Sequence, residues 1–362
     1  MLDGGCSSKM RYSSLVSLVA NSRLPLGDPV HSDATKLSFS NEFVTTIDTV
    51  SPLLESELRD AGILAVFHCL NDIYSCGAIP TDANMSIQIA AVAGDAAALQ
   101  LVDGVGFALA QLGVKFGKGH TVFGDRTLIT LSAVGRQSKS VVLHPSANEF
   151  RLVLSRPLGA ARLYQLAAIS EDENSKKVAL EYMTQGHGPF SQLLAYHAAI
   201  AADVSGFGLA GAVLQIKQFY PNFEFHIAAH SMKRIDHNYL FARTSCSYEL
   251  NLEDFAEEFD VNDVLDEPIK QSLFGREFGG PIVAAVANDK CAEFLNSATR
   301  AGYETFEIGW IVKKSSNSRK VLERFRRCLN RVCCQISLVC DSTWRLVGRP
   351  DCHATTSFDG FT

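Results

Sequence analysis

The chain has 362 residues, 47% of them hydrophobic and 20% charged, enough to bury one large core or two smaller ones. Its formal net charge of −6 argues against a general nucleic-acid binder, which needs a basic surface. No apolar run is long enough to span a bilayer and the opening residues lack the apolar core of a signal peptide, so a cytoplasmic location without membrane partners is expected.

The chain opens with "MLDGGCSSKM". Gly4 and Gly5 loosen the backbone before Cys6, and Lys9 follows three residues later. Two readings stand side by side here: a plain floppy terminus, or a mobile arm whose ammonium lowers the thiol pKa and meets an anion. "EFVTTIDT" (41–48) reads as a strand and "ELRDAGILAVFHCLNDIYSCG" (57–77) as a long helix stopped by glycine. "MSIQIAAVA" (85–93) reads as a strand, 96–113 as a helix and "RTLITLSAVGR" (126–136) as a strand, with a boundary loop at 137–149.

In the second half "FRLVLSRP" is a predicted strand, followed by helices near 160–170, 190–200 and from 208. Strand "FEFHIAAH", the acidic stretch 251–267, strand "GGPIVAAVA", a helix near 289–301 and strand "YETFEIGWIV" complete it. Strands and helices mix without strict alternation, which predicts an α+β class. From 313 to 331 the chain carries eight basic residues and one acid, and five of its ten cysteines fall from Cys328 to Cys352. Their spacing matches no paired zinc-binding pattern, so reduced thiols on a peripheral, disordered extension are expected.

Four aspartates lie among small or apolar residues: Asp33 in "HSDATKL", Asp48 in "TTIDTVSP", Asp72 in "LNDIYSCG" and Asp203 in "AADVSGFGLAG". Singly each reads as a cap or turn, and Asp203 has good N-cap chemistry before its helix. Together they suit a hard cation, because buried carboxylates need partners and Mg²⁺ takes oxygen ligands and bridges to nucleotide phosphates. "FGKGHTVFGD" (116–125) reads as a glycine-flanked turn carrying His120 and Thr121, either a plain connection or a phosphate cradle.

In order and spacing, "GGCSSK", "SDAT", "TTIDTVSP", "LNDIYSCGAIP", "GHT", "SRPLG", "ADVSGFGLAG" and "FGGPIVAAV" resemble selenophosphate synthetase (selenide, water dikinase) from about residue 3 to 314. That family belongs to the aminoimidazole ribonucleotide synthetase-like superfamily, with thiamine-phosphate kinase and a hydrogenase-maturation protein. The resemblance implies a two-domain α+β fold with a flexible glycine-rich arm. The expected division is an arm and linker over 1–37, an ATP-binding and dimerisation domain over 38–145, an α+β domain over 146–314 and a basic tail over 315–362.

The implied reaction converts ATP, selenide and water to selenophosphate, AMP and phosphate, with Mg²⁺ as cofactor. Cys6 takes the selenium-handling role and Lys9 the phosphate contact. Asp33, Asp72 and Asp203 match metal ligands, and Asp72 also faces the nucleotide. Val30, His31, Ser32 and Asp48 match nucleotide contacts. Gly119, His120 and Thr121 match a turn that reaches ATP from the partner chain of a homodimer. Implied partners are therefore ATP, selenide or a selenium-delivery protein, and a second copy, whose strands 41–48 and 126–136 are expected to pair across subunits. Lys118 stands where the family has glycine, and Arg276 to Phe278 replace its polar turn. Other readings consistent with the sequence are a non-catalytic relative keeping the fold and another ATP-dependent kinase or ligase of the superfamily.

Overall fold

The computed structural model describes residues 10–21, 33–37, 40–137, 147–197, 199–228, 231–236, 246–259, 267–314, 337–340 and 344–347. Cys6, Lys9, Val30, His31, Ser32 and most of the tail lie outside the described residues. The first part runs α1 (Tyr12–Asn21), β1 (Thr35–Leu37), β2 (Ser40–Val50), α2 (Leu58–Ser75), β3 (Ala78–Ala90), α3 (Gly94–Leu112), β4 (Lys115–Gly124) and β5 (Leu128–Gln137). Its strands form one sheet ordered β1-β2-β5-β3-β4, antiparallel except for the β3–β4 pair that α3 connects. That class matches the α+β expectation.

Alternation sets which face is covered. On β2, Val44, Thr46 and Val50 point inward while Ile47 is exposed. Ile129, Leu131 and Ala133 of β5 and Ala83, Met85, Ile87 and Ile89 of β3 join the inward face. Against it packs α2, in which every residue except Arg59 and Asp60 is buried, as expected of a helix apolar on all sides. The α2–α3 crossing is close enough to require glycine. A Cβ at Gly62 would stand 2.2 Å from the Leu101 carbonyl oxygen, and one at Gly104 would stand 2.0 Å from that of Arg59.

The second part runs β6 (Glu149–Leu154), α4 (Ala160–Ile169), α5 (Glu173–Met183), α6 (Gly188–His197), β7 (Ile200–Asp203), α7 (Gly208–Phe219), β8 (Phe223–Ala228), α8 (Cys246–Phe259), α9 (Glu267–Phe274), β9 (Ile282–Ala287), α10 (Cys291–Arg300), β10 (Phe306–Lys313), β11 (Ser337–Cys340) and β12 (Trp344–Val347). Its seven-stranded sheet is ordered β12-β11-β8-β10-β6-β9-β7. This sheet is covered on both faces, which is why "IVAAVA" is apolar at every position. Ile282, Ala284 and Val286 face the core that α2 shares with α4, α6 and α10, whereas Val283, Ala285 and Ala287 face a second core under α7, α8 and α9. A continuous apolar interior therefore links α2 to β9. Among the described residues, no helix is long and apolar enough to cross a membrane.

Three local expectations are corrected. The glycine-flanked stretch at 116–125 is mostly strand β4, because its backbone bonds to β3 give it a partner that its wholly exposed side chains could not announce. Strand β5 is flanked by β2 and β3 along its length, so it lacks the free edge that cross-subunit pairing was expected to use, whereas β1 borders β2 only over 40–45 and leaves 46–50 without a strand on that side among the described residues. Asp203 ends β7 rather than capping a helix, since α7 starts five residues later behind Phe207.

Candidate metal centre

Three elements deliver the carboxylates. Asp33 precedes β1, Asp72 lies in the last turn of α2, and Asp203 is the final residue of β7. Ligand oxygens of the three all lie within 4.8 Å of one another. Asp72 and Asp203 are buried, at 9% and 6% exposure, and Asp33 is half-buried.

Asp33 is oriented from three directions. Gln215 Nε2 on α7 donates to its Oδ1 at 2.6 Å, and Ser75 Oγ and the Asp203 backbone N–H donate to its Oδ2 at 2.8 and 2.9 Å. Thr46 Oγ1, inward on β2, donates to Asp72 Oδ2 at 2.6 Å. Burial and the charges of Asp48, Asp203 and Asp33 push the Asp72 carboxyl well above its ordinary value. The same cause acts on the neighbouring Cys69 thiol, pushed up first by burial and then by Asp48 and Asp72, so it is inert as a nucleophile. An all-oxygen set of three mutually repelling carboxylates fits a hard divalent cation such as Mg²⁺ and suits a soft metal poorly.

Asp48 lies two residues beyond Thr46 on the same strand face, partly exposed, with Oδ2 3.8 Å from Nε2 of the buried His68. His68 Nδ1 accepts from the Gly279 N–H at 3.3 Å, which leaves the ring proton on Nε2, toward Asp48. The Phe278 ring packs on His68 with centroids 4.5 Å apart.

Gly119, His120 and Thr121 are not brought to this cluster. They lie on exposed β4, three strand positions from β2 and thus about 14 Å away at ordinary strand spacing. Lys118, the residue that departs from glycine, shares that edge and donates its backbone N–H to Asn84 Oδ1 at 2.9 Å. The altered segment Arg276 to Phe278 is buried and engaged. Arg276 donates to Gln165 Oε1, and Glu277 Oε1 accepts from the Gly159 N–H at 2.6 Å. Sequence reading missed Thr46, Ser75, His68 and Gln215. The first three had a usable signal in hindsight, two residues before Asp48 on one strand face, three after Asp72 and four before it on one helix; Gln215, 182 residues from its partner, had none.

Residues 31–137 match the family described as AIR synthase related protein, N-terminal domain. A selenide, water dikinase of Pseudomonas putida is 24% identical over 341 residues, covering 88% of this chain and 96% of the relative. A structure described as AaThiL complexed with AMPPCP and TMP superposes with a TM-score of 0.61 at 15% identity, covering 84% of this chain and 92% of the other. A thiamine-monophosphate kinase of Stenotrophomonas maltophilia gives 0.59 at 16% identity, covering 85% and 95%. The two solved structures share the fold, and the relatives named here by activity are kinases. Residues 31–137 thus carry an AIR synthase related N-terminal domain, and over most of its length the chain is similar to the selenide, water dikinases.

Proposed function

We propose that the chain is a selenophosphate synthetase that uses ATP, selenide and water and releases selenophosphate, AMP and phosphate. The observation that carries this reading is the convergence of Asp33, Asp72 and Asp203 from three separate elements, on a chain similar over most of its length to selenide, water dikinases. Mg²⁺ is the cofactor in this reading, held by those three carboxylates, and it supplies neutralisation of phosphate charge. Asp48, with Val30, His31 and Ser32, borders the nucleotide, and Asp72 serves both metal and nucleotide. Lys9 places a point charge on phosphate oxygens, and Cys6 handles selenium. Both phosphoanhydride bonds of ATP break: one phosphoryl group passes to selenide and the other to water.

Because β4 is distant from the carboxylates, Gly119, His120 and Thr121 complete the site from the partner chain of a homodimer. The test is nucleotide analysis after incubation of the full chain with ATP and Mg²⁺, with and without selenide. AMP formed only with selenide supports the proposal. ADP as the sole product points to another kinase of the superfamily, and no turnover points to a non-catalytic relative.

A further inference from the structure

Next to Asp72 on α2 stands a buried chain of polar groups. Ser155 Oγ lies 2.8 Å from His187 Nε2, His187 Nδ1 lies 2.8 Å from Asn71 Oδ1, and Asn71 Nδ2 donates to the Gly280 carbonyl at 3.0 Å. The order Ser–His–Asn imitates a nucleophile with its base, yet the three residues are at most 2% exposed, and Ser155 Oγ also accepts the Ile282 N–H at 2.9 Å. No substrate reaches that hydroxyl.

The direction of every bond is fixed. Gly280 O can only accept, so Asn71 turns its amide nitrogen there and its oxygen toward His187. His187 then donates from Nδ1 and accepts from Ser155 at Nε2, as a neutral imidazole. Burial and the nearby Arg156 charge hold His187 well below its ordinary pKa, in keeping with that form.

The Gly280 end leads directly to Asp203. Ile282 pairs with Asp203 in the β7–β9 ladder, and the Val204 N–H donates to the Pro281 carbonyl at 2.8 Å. A Cβ at Gly280 would stand 2.1 Å from the Val204 carbonyl oxygen, so the two backbones touch. Arg156 grips the same turn, donating to Gly279 O and Gly280 O at 2.6 and 2.7 Å. One side chain, Asn71, thus joins the helical turn that carries Asp72 to the backbone that carries Asp203.

We propose that Asn71, oriented by His187 and Ser155, is a positioning residue of the cation site, holding Asp72 and Asp203 at ligating separation through Gly280. This rests on the cation reading above. Partners behind metal ligands typically change metal affinity by about 10- to 100-fold when removed.

The experiment titrates the full-length chain with Mn²⁺ and follows free Mn²⁺ by electron paramagnetic resonance, for wild type, Asn71→Leu, Ser155→Ala and Ser191→Ala. Ser191 Oγ donates to the Ala78 carbonyl at 2.8 Å, an equally buried bond between α6 and β3 outside this chain of groups, and reports plain loss of stability. The expected result is a Kd raised about tenfold in Asn71→Leu, raised by less in Ser155→Ala and unchanged in Ser191→Ala. If Asn71→Leu does not fold, Ser155→Ala decides. Unchanged Mn²⁺ affinity in either folded variant, or an equal loss in Ser191→Ala, overturns the inference. A wild-type chain that takes up no Mn²⁺ overturns the metal centre itself and this inference with it.

Discussion

The backbone N–H of Asp203 donates to Asp33 Oδ2 at 2.9 Å, joining two of the three clustered carboxylates across 170 residues of sequence. The bond uses the main chain of Asp203, so its side chain can be altered without releasing Asp33. Asp203→Asn is accordingly expected to keep the fold and abolish magnesium-dependent ATP consumption, because the amide removes one negative charge from the cation's shell. Circular dichroism and an ATPase assay check this; near-normal turnover in the folded variant would show that the carboxylate is dispensable.

Gln215 reaches Asp33 from α7 at 2.6 Å. Gln215→Leu leaves Asp33 Oδ1 without that donor, and magnesium affinity is expected to fall about tenfold or more with little change in overall stability. Calorimetric titration of the variant measures it, and wild-type affinity would count against a role for Gln215.

Mutual repulsion among Asp33, Asp72 and Asp203 predicts that a divalent cation stabilises the folded chain. Binding at a hundredfold excess over Kd contributes about 2.7 kcal/mol. Thermal unfolding with and without Mg²⁺ is expected to show a rise in Tm that Asp203→Asn loses, whereas an equal rise in both would place the effect elsewhere.

Much of this frame is legible in the sequence because burial writes itself as periodicity. Strand β2, helices α2 and α3 and strand β9 follow from alternating or continuous apolar residues. Strand β4 does not, since its side chains are exposed on both faces and only backbone bonds to β3 define it. Strand β7 has four residues, too few for a pattern, so "ADVSG" reads as a helix cap. Helix α5, "ENSKKVALEYM", fully buries only Ala179 and Met183, and its apolar residues are confined to its second half, too short a stretch to show a helical period. Each aspartate of the site is visible in the sequence, but the donors that aim them come from elements that only the fold brings together.

Glu277 is 1% exposed, and burial, opposed by Arg234 and the Gly159 N–H, pushes its carboxyl up to about 7 from an ordinary 4.5. The folded chain therefore holds this proton more tightly than the unfolded chain. Its contribution is fully present below about pH 4.5 and is lost as pH rises through about 7. Denaturation across that window is expected to show a falling contribution of up to about 1.4 kcal/mol per pH unit, which Glu277→Gln abolishes. The same slope in the variant would assign it to other groups.

At the α2–α3 crossing, Gly104→Ala brings a methyl group against the Arg59 carbonyl. Separation of the helices is expected to cost about 2–3 kcal/mol, read as a lower urea midpoint. An unchanged midpoint would mean that the crossing yields at no cost.

In the proposed reaction, selenide is coupled to ATP cleavage through the thiol of Cys6. Selenide-dependent AMP formation, compared between wild type and Cys6→Ser, separates that role from a bystander thiol, since serine keeps the size and hydrogen bonding of the side chain but not the thiolate. Wild type is expected to form AMP and selenophosphate with selenide, and Cys6→Ser to bind nucleotide without forming either product. Full selenide-dependent activity in Cys6→Ser, or AMP formation by wild type indifferent to selenide, would contradict that coupling.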